Sequence, residues 1–290
     1  MFKGSIVALV TPFKNGMLDK NKLKELVEWH IKNNTSAIIP CGTTGESATL
    51  THLEHNEVIE IVVEAANKKI PIIAGTGSNN TKESILLSQH AQSVGADGIL
   101  MITPYYNKPS QNGIYEHFKV ISENINIPIM LYNIASRTGV NMSAELIYRL
   151  SKLKNIVAIK EASGNINQIS DIIEKCDESF VLMSGDDALT LPVLSLGGTG
   201  VVSVLANIAP RDVSDMVKAF QKGDIKKARE LHYKLSNLVK AMFLETNPVP
   251  IKTAMEILGI CSGEVRLPMY KMDEKNIEKL KIALKNYGLI

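Results

Sequence analysis

Short apolar runs alternate with longer segments in which apolar residues recur every three or four positions, from the N-terminus to about residue 223. The short runs are SIVALV (5–10), SAIIPCG (36–42), IPIIAGTG (70–77), DGILMIT (97–103), IPIMLYN (127–133), NIVAIKE (155–161), FVLMSGD (180–186) and GVVSVLAN (200–207). Each is continuous rather than alternating, as expected of parallel strands covered on both faces. Between them lie amphipathic segments such as LKELVEWHIKN and AELIYRLSKL, and THLE at 51–54 reads as a capping box with Thr51 as cap and Glu54 reaching back. Eight such strand–helix units predict a closed (β/α)8 barrel. An open doubly wound sheet would more usually show five or six strands and a glycine fingerprint for a nucleotide. Beyond Gly223 the rhythm changes to three helical segments (225–243, 248–259, 274–288) without strands. The expected organisation is therefore a TIM barrel over 1–223 with a C-terminal extension of three helices over 224–290, packed on the barrel.

Composition narrows the function classes. Apolar residues make up 45%, charged residues 21%, and the formal net charge is +2. No basic run interleaves with aromatics, so no nucleic-acid partner is expected. No apolar run reaches the length of a membrane span, and the N-terminus reads as a first strand, so the expectation is a cytoplasmic protein without a membrane role. Cys41, Cys176 and Cys261 are odd in number and scattered, which argues against a disulfide framework and a zinc site.

A barrel of this kind carries its active site at the C-terminal ends of the strands, and polar groups gather there. Lys160 ends the sixth run. Alternation puts it with Ala158 on the axis-facing side and Val157 with Ile159 on the other. Burial disfavours the charged form of a lysine, and a neutral amine is what attack on a ketone requires. The alternative is a structural lysine paired with Glu161 or another carboxylate, and position alone leaves both open. Tyr132 ends the fifth run on the face of Met130, where a phenol can move protons for imine and carbon–carbon chemistry. Thr43, Thr44 and Tyr106 supply hydroxyls on neighbouring loops.

GTTGE (42–46) is a tight loop whose N–H groups suit a carboxylate better than a phosphate, because no GxxxxGK follows. GTGSNNT (75–81) reads as a strand–turn–helix junction capped by Asn80 or Thr81. Arg137 suits bidentate carboxylate recognition, or else a salt bridge that staples its loop. His52 and His55 share a helix face without a third ligand, and adjacent Asp186 and Asp187 face opposite ways, so no metal is expected at either place.

GTTGES, TPYYNKPSQ, YN-x-x-SRTG, AIKEASGN, MSGDD and NPVPIK, in order along the whole chain, resemble the dihydrodipicolinate synthase family among the pyruvate-dependent class I aldolases. The resemblance implies a lyase that joins pyruvate to L-aspartate 4-semialdehyde in lysine and diaminopimelate synthesis, with no metal or organic cofactor. It implies that Lys160 forms the imine, that Tyr132, Thr43 and Tyr106 relay protons, and that Tyr106 reaches in from a neighbouring subunit. Thr43 and Thr44 would hold the pyruvate carboxylate, Arg137 the second substrate, and Gly185 and Val202 would line the pocket. It further implies a homotetramer of two tight dimers and an L-lysine site at Ser47, Ala48, His52, His55, Asn79, Glu83 and Tyr105. The sibling reading is an N-acetylneuraminate lyase or a ketodeoxy-sugar-acid aldolase, which shares the lysine and tyrosine but not SRTG. Two departures stand out: Ala135 where the family commonly has proline, which loosens the Arg137 loop, and Cys41 before the GTTGE loop.

Overall fold

The computed structural model describes residues 2–290. Eight parallel strands form the barrel: β1 (Gly4–Ala8), β2 (Ala37–Ile39), β3 (Ile73–Gly75), β4 (Gly98–Ile102), β5 (Ile129–Asn133), β6 (Ile156–Glu161), β7 (Val181–Ser184) and β8 (Gly200–Ser203). Their hydrogen-bonded order is β2-β1-β8-β7-β6-β5-β4-β3. A parallel bridge between Ile38 and Ile72 joins the two ends, with Ile38 N–H donating to the Pro71 carbonyl and Gly75 N–H to the Pro40 carbonyl at 3.0 Å each. The sheet is thus closed, not open.

The helices follow the amphipathic segments: α1 (Lys20–Lys32), α2 (His52–Ala66), α3 (Thr81–Ser93), α4 (Gln111–Asn124), α5 (Ala135–Thr138), α6 (Ala144–Ser151), α7 (Ile166–Lys175), α8 (Thr190–Ser195) and α9 (Pro210–Gln221). After Gly223 come α10 (Ile225–Ala241), α11 (Val249–Ile257) and α12 (Glu274–Tyr287). Side chains fix several starts: Thr51 and Glu54 form the reciprocal capping box of α2, and Asn80 accepts from the first-turn N–H groups of α3. Among the described residues no helix is long and apolar enough to cross a membrane.

Strand alternation divides the buried side chains into two cores. Ile6, Ile39, Ile73, Leu100, Met130, Ala158, Met183 and Val202 fill the barrel, while Val7, Ile38, Ile99, Leu131, Ile159 and Val201 face the helices. Each fully buried aliphatic contributes roughly 1.5–3 kcal/mol by leaving water.

Three details depart from the sequence reading. Val157 packs against the barrel interior rather than beside Ile159. The register jumps from Ile129↔Ile156 to Met130↔Ala158, so Val157 is the extra residue of a β-bulge and alternation resumes only after it. The run 200–207 ends as a strand at Ser203 and turns into a single 3-10 turn at Leu205–Asn207. There the Asp187 carboxylate accepts from the Ser203 hydroxyl, from Val204 N–H at 2.9 Å and from Leu205 N–H at 3.2 Å, which ends the ladder. Finally, Phe13–Lys14 and Met17–Leu18 form a small antiparallel hairpin after β1. Its Asn15-Gly16 turn has φ of +55° and +79°, the hairpin signal that the apolar pattern alone does not reveal.

Candidate active site

Lys160 and Tyr132 are direct neighbours across the β5–β6 ladder. Both point into the barrel, and Lys160 is 6% exposed. Its Nζ stands 4.1 Å from the Tyr132 ring centroid. Among the described residues no carboxylate lies within ion-pair distance of that amine, so the pairing alternative fails. Glu161 points the other way, accepting from Ser163 N–H at 2.7 Å and Asn133 Nδ2 at 2.9 Å. Burial pushes its carboxyl above the usual range in spite of those donors. Gly185 gives the lysine room. A Cβ there would stand 2.7 Å from Ala162 Cβ and 3.0 and 3.1 Å from Lys160 Cγ and Cε, closer than packed carbons tolerate. Val202 lies in the same interior cluster, on β8.

The GTTGE loop presents unpaired donors. Glu46 N–H bonds the Thr43 carbonyl at 3.1 Å, Ser47 N–H bonds the Gly42 carbonyl at 3.3 Å, and the Thr11 hydroxyl donates to the Gly45 carbonyl at 2.6 Å. The Gly42, Thr43 and Gly45 carbonyls are thereby occupied. The N–H groups of Thr43 and Thr44 donate to no protein acceptor among the described residues, the arrangement an anion needs. The Thr44 hydroxyl accepts from Asn247 Nδ2 at 3.0 Å. Arg137 sits on the one-turn α5, and its Nη2 donates to the Asn247 carbonyl at 3.0 Å. Among the described residues it makes no salt bridge, so the stapling reading is replaced by a backbone contact. Thr138 Oγ1 donates to the Ile134 carbonyl at 3.1 Å and fixes the segment that Ala135 opens.

A cavity of about 400 Å³ is lined by Thr43, Arg137, Thr138 and Asn247. It is also lined by Ser47, Ala48, His52, His55, Glu83 and Tyr105, so those six expected residues do converge. Asn79 does not join its wall; its Nδ2 bonds the Tyr105 carbonyl at 3.1 Å. Lys160 and Tyr132 lie outside this cavity. Tyr106 stands apart from both, 87% exposed and with φ of +71°.

The histidine pair separates. His52 Nε2 meets Glu83 Oε1 at 2.8 Å at the surface, while buried His55 donates to the Gly75 carbonyl at 2.8 Å. Desolvation holds the His55 imidazole below its ordinary range. Among the described residues no three acidic, histidine or cysteine side chains cluster as metal ligands. Cys41 is buried with its thiol pushed up by desolvation, and all three cysteines are free.

Sequence reasoning missed one part of this neighbourhood. Lys252, on α11 and fully buried, donates to Glu46 Oε1 at 2.6 Å. A lysine inside an apolar helix segment was the available signal.

The model of the dihydrodipicolinate synthetase family matches residues 1–287. The chain belongs to that family. It is 55% identical over 290 residues to the 4-hydroxy-tetrahydrodipicolinate synthase of Syntrophus aciditrophicus, covering 100% of both. The crystal structure of dihydrodipicolinate synthase from Aquifex aeolicus is similar with a TM-score of 0.98 and 51% identity, covering 99% of each chain. A family structure from Cyanidioschyzon merolae with lysine bound has a TM-score of 0.97 and 43% identity, covering 100% of this chain and 99% of that one. Lys160, Tyr132 and the GTTGE loop therefore occupy the strand ends of a dihydrodipicolinate synthetase barrel.

Proposed function

We infer that this chain condenses pyruvate with L-aspartate 4-semialdehyde to give 4-hydroxy-tetrahydrodipicolinate through an imine on Lys160. The observation that carries the assignment is a buried lysine without a carboxylate partner, beside a phenol, at the end of a barrel strand. The Lys160 amine attacks C2 of pyruvate, and the carbinolamine loses water as protons pass through Tyr132. Loss of a C3 proton gives an enamine, whose C3 bonds the aldehyde carbon of the second substrate. The amino group of that substrate then attacks C2, closes the ring and returns the Lys160 amine. The unpaired Thr43 and Thr44 N–H groups would hold the pyruvate carboxylate, with Gly185 and Val202 walling the pocket. Arg137, turned into the cavity from α5, would take the carboxylate of the semialdehyde.

Tyr106 completes the relay in a neighbouring subunit on this reading, which suits a tyrosine that is fully outward in its own chain. The assembly would be a homotetramer of two tight dimers, with the barrel of residues 1–223 as the catalytic domain and 224–290 packed against it. The imine serves as the electron sink, so we assign no metal or organic cofactor; activity should survive exhaustive chelation. L-lysine would occupy the cavity between His52, Glu83 and Tyr105, and the lysine-bound relative supports that reading. Full activity at high L-lysine together with no heat of binding would remove the regulatory part.

The direct test is borohydride reduction in the presence of pyruvate, followed by peptide mapping. A mass increment on Lys160 is expected, and a trapped adduct elsewhere or none removes the mechanism. A coupled assay comparing aspartate semialdehyde with N-acetylmannosamine and glyceraldehyde then separates the synthase from its sibling aldolases.

A further inference from the structure

The Thr43–Thr44 loop is held in shape from the far end of the chain. Cys41 and Glu46, at its two borders, have φ of +54° and +53°, a left-handed backbone that residues with a Cβ resist. Such a conformation persists only where the surroundings over-determine it. The Glu46 side chain is the point of fixation. Its Oε1 accepts from Lys252 Nζ at 2.6 Å and its Oε2 from Arg266 N–H at 3.0 Å. Lys252 also donates to the Thr11 carbonyl at 3.0 Å, and its Nζ stands 4.3 Å from the Phe13 ring centroid. Thr11 in turn bonds the Gly45 carbonyl. One buried ammonium group thus grips the loop twice, once at Glu46 and once through Thr11.

Stability alone does not account for the pair. A buried ion pair is commonly no more stabilising than apolar side chains of the same volume, because desolvation offsets the attraction. What the pair adds is a fixed geometry at one backbone position. We propose that Lys252 is a positioning residue for the pyruvate site: its pair with Glu46 holds the loop so that the Thr43 and Thr44 N–H groups converge on a carboxylate. Lys252 touches no substrate. The proposal rests on the reading of this loop as the carboxylate receptor, and the test separates the two ideas.

The variants are the neutral pair Glu46→Gln/Lys252→Met and the milder Glu46→Asp, which keeps the charge and shortens the arm. The probes are pyruvate and methyl pyruvate, which lacks the carboxylate charge, each trapped on the enzyme by borohydride. Wild-type enzyme should favour pyruvate strongly. In the neutral pair the preference should fall about tenfold, with KM for pyruvate rising about tenfold and kcat falling by no more than about threefold. Glu46→Asp should show the same signature at smaller size, and it carries the comparison alone if the neutral pair does not fold. If wild-type enzyme traps both ketones equally, the carboxylate reading falls and the proposal with it. If wild-type enzyme discriminates and the variants do so equally at unchanged KM, losing only thermal stability, the loop reading stands and the positioning role is overturned.

Discussion

Lys160 and Lys252 are both buried lysines in apolar segments, and their surroundings differ in kind. Lys160 has an aromatic face and, among the described residues, no carboxylate, whereas Lys252 has a carboxylate at 2.6 Å. Burial pushes the Lys252 ammonium below its usual range, with Glu46 partly offsetting the effect. Lys160→Met should abolish the pyruvate adduct and lower kcat on the order of 10³-fold or more, read by trapping and the coupled assay. Gly185→Ala tests the same point from the residue that follows β7. Its Cβ would displace the Lys160 stem, and a misplacement of that size costs on the order of 10²-fold in kcat/KM, with the circular dichroism spectrum unchanged. From sequence, Lys160 was legible because it ends a strand and the strand end is where barrel chemistry lies. For Lys252 the sequence carried only the oddity of a lysine in an apolar segment, because nothing local to α11 says that a carboxylate more than 200 residues earlier is waiting for it.

At the scale of elements, hydrophobic period located the strands and helices, and side-chain caps set several of their starts. It overran β2 and β8 because an apolar residue continues a run without continuing a ladder. It misplaced Val157 because alternation presumes an unbroken pleat, and a bulge spends one residue without changing face. Two helices also carry buried histidines with unpartnered Nε2 atoms: His30 on α1 and His117 on α4. Desolvation lowers them from 6.5 to about 3 and about 4 respectively. Below the ordinary value the unfolded chain binds protons that the folded chain refuses, so stability falls as pH drops from 6.5 toward the folded values. At about pH 5 each costs up to ~2 kcal/mol. His117→Gln should therefore be less stable than the parent near neutrality, through loss of its 2.9 Å bond to Thr81, yet lose less between neutral pH and about pH 5. Urea midpoints at the two pH values measure the difference.

At the scale of the molecule, the C-terminal part of the chain folds back onto the candidate site. Asn247 bonds both Thr44 and Arg137, and Arg266 bonds Glu54 at 2.6 and 2.9 Å while reaching the Gly16 carbonyl at 2.9 Å. Residues after Gly223 are thus structurally joined to the loops that carry Thr44 and Arg137. Exposed Tyr106 gives the corresponding prediction for the assembly. Tyr106→Phe and Lys160→Met chains are each expected to be nearly inactive. Mixed after dissociation and reassociation, they should regain activity, because a heterodimer carries one site with both intact residues. No gain on mixing would place the Tyr106 action, if any, within one chain.

The sequence by itself determined the period of the elements, hence a parallel barrel with an extension, and the residue types gathered at its strand ends. Those follow from local physics: alternation, caps and the burial of apolar runs. The tertiary structure alone decided that Lys160 stands free of carboxylates, that Thr43 and Thr44 keep unpaired N–H groups, and that α11 anchors their loop. Each of these is settled by which segments far apart in the chain come into contact. Such contacts depend on how the barrel closes and where its extension docks, which no local pattern encodes.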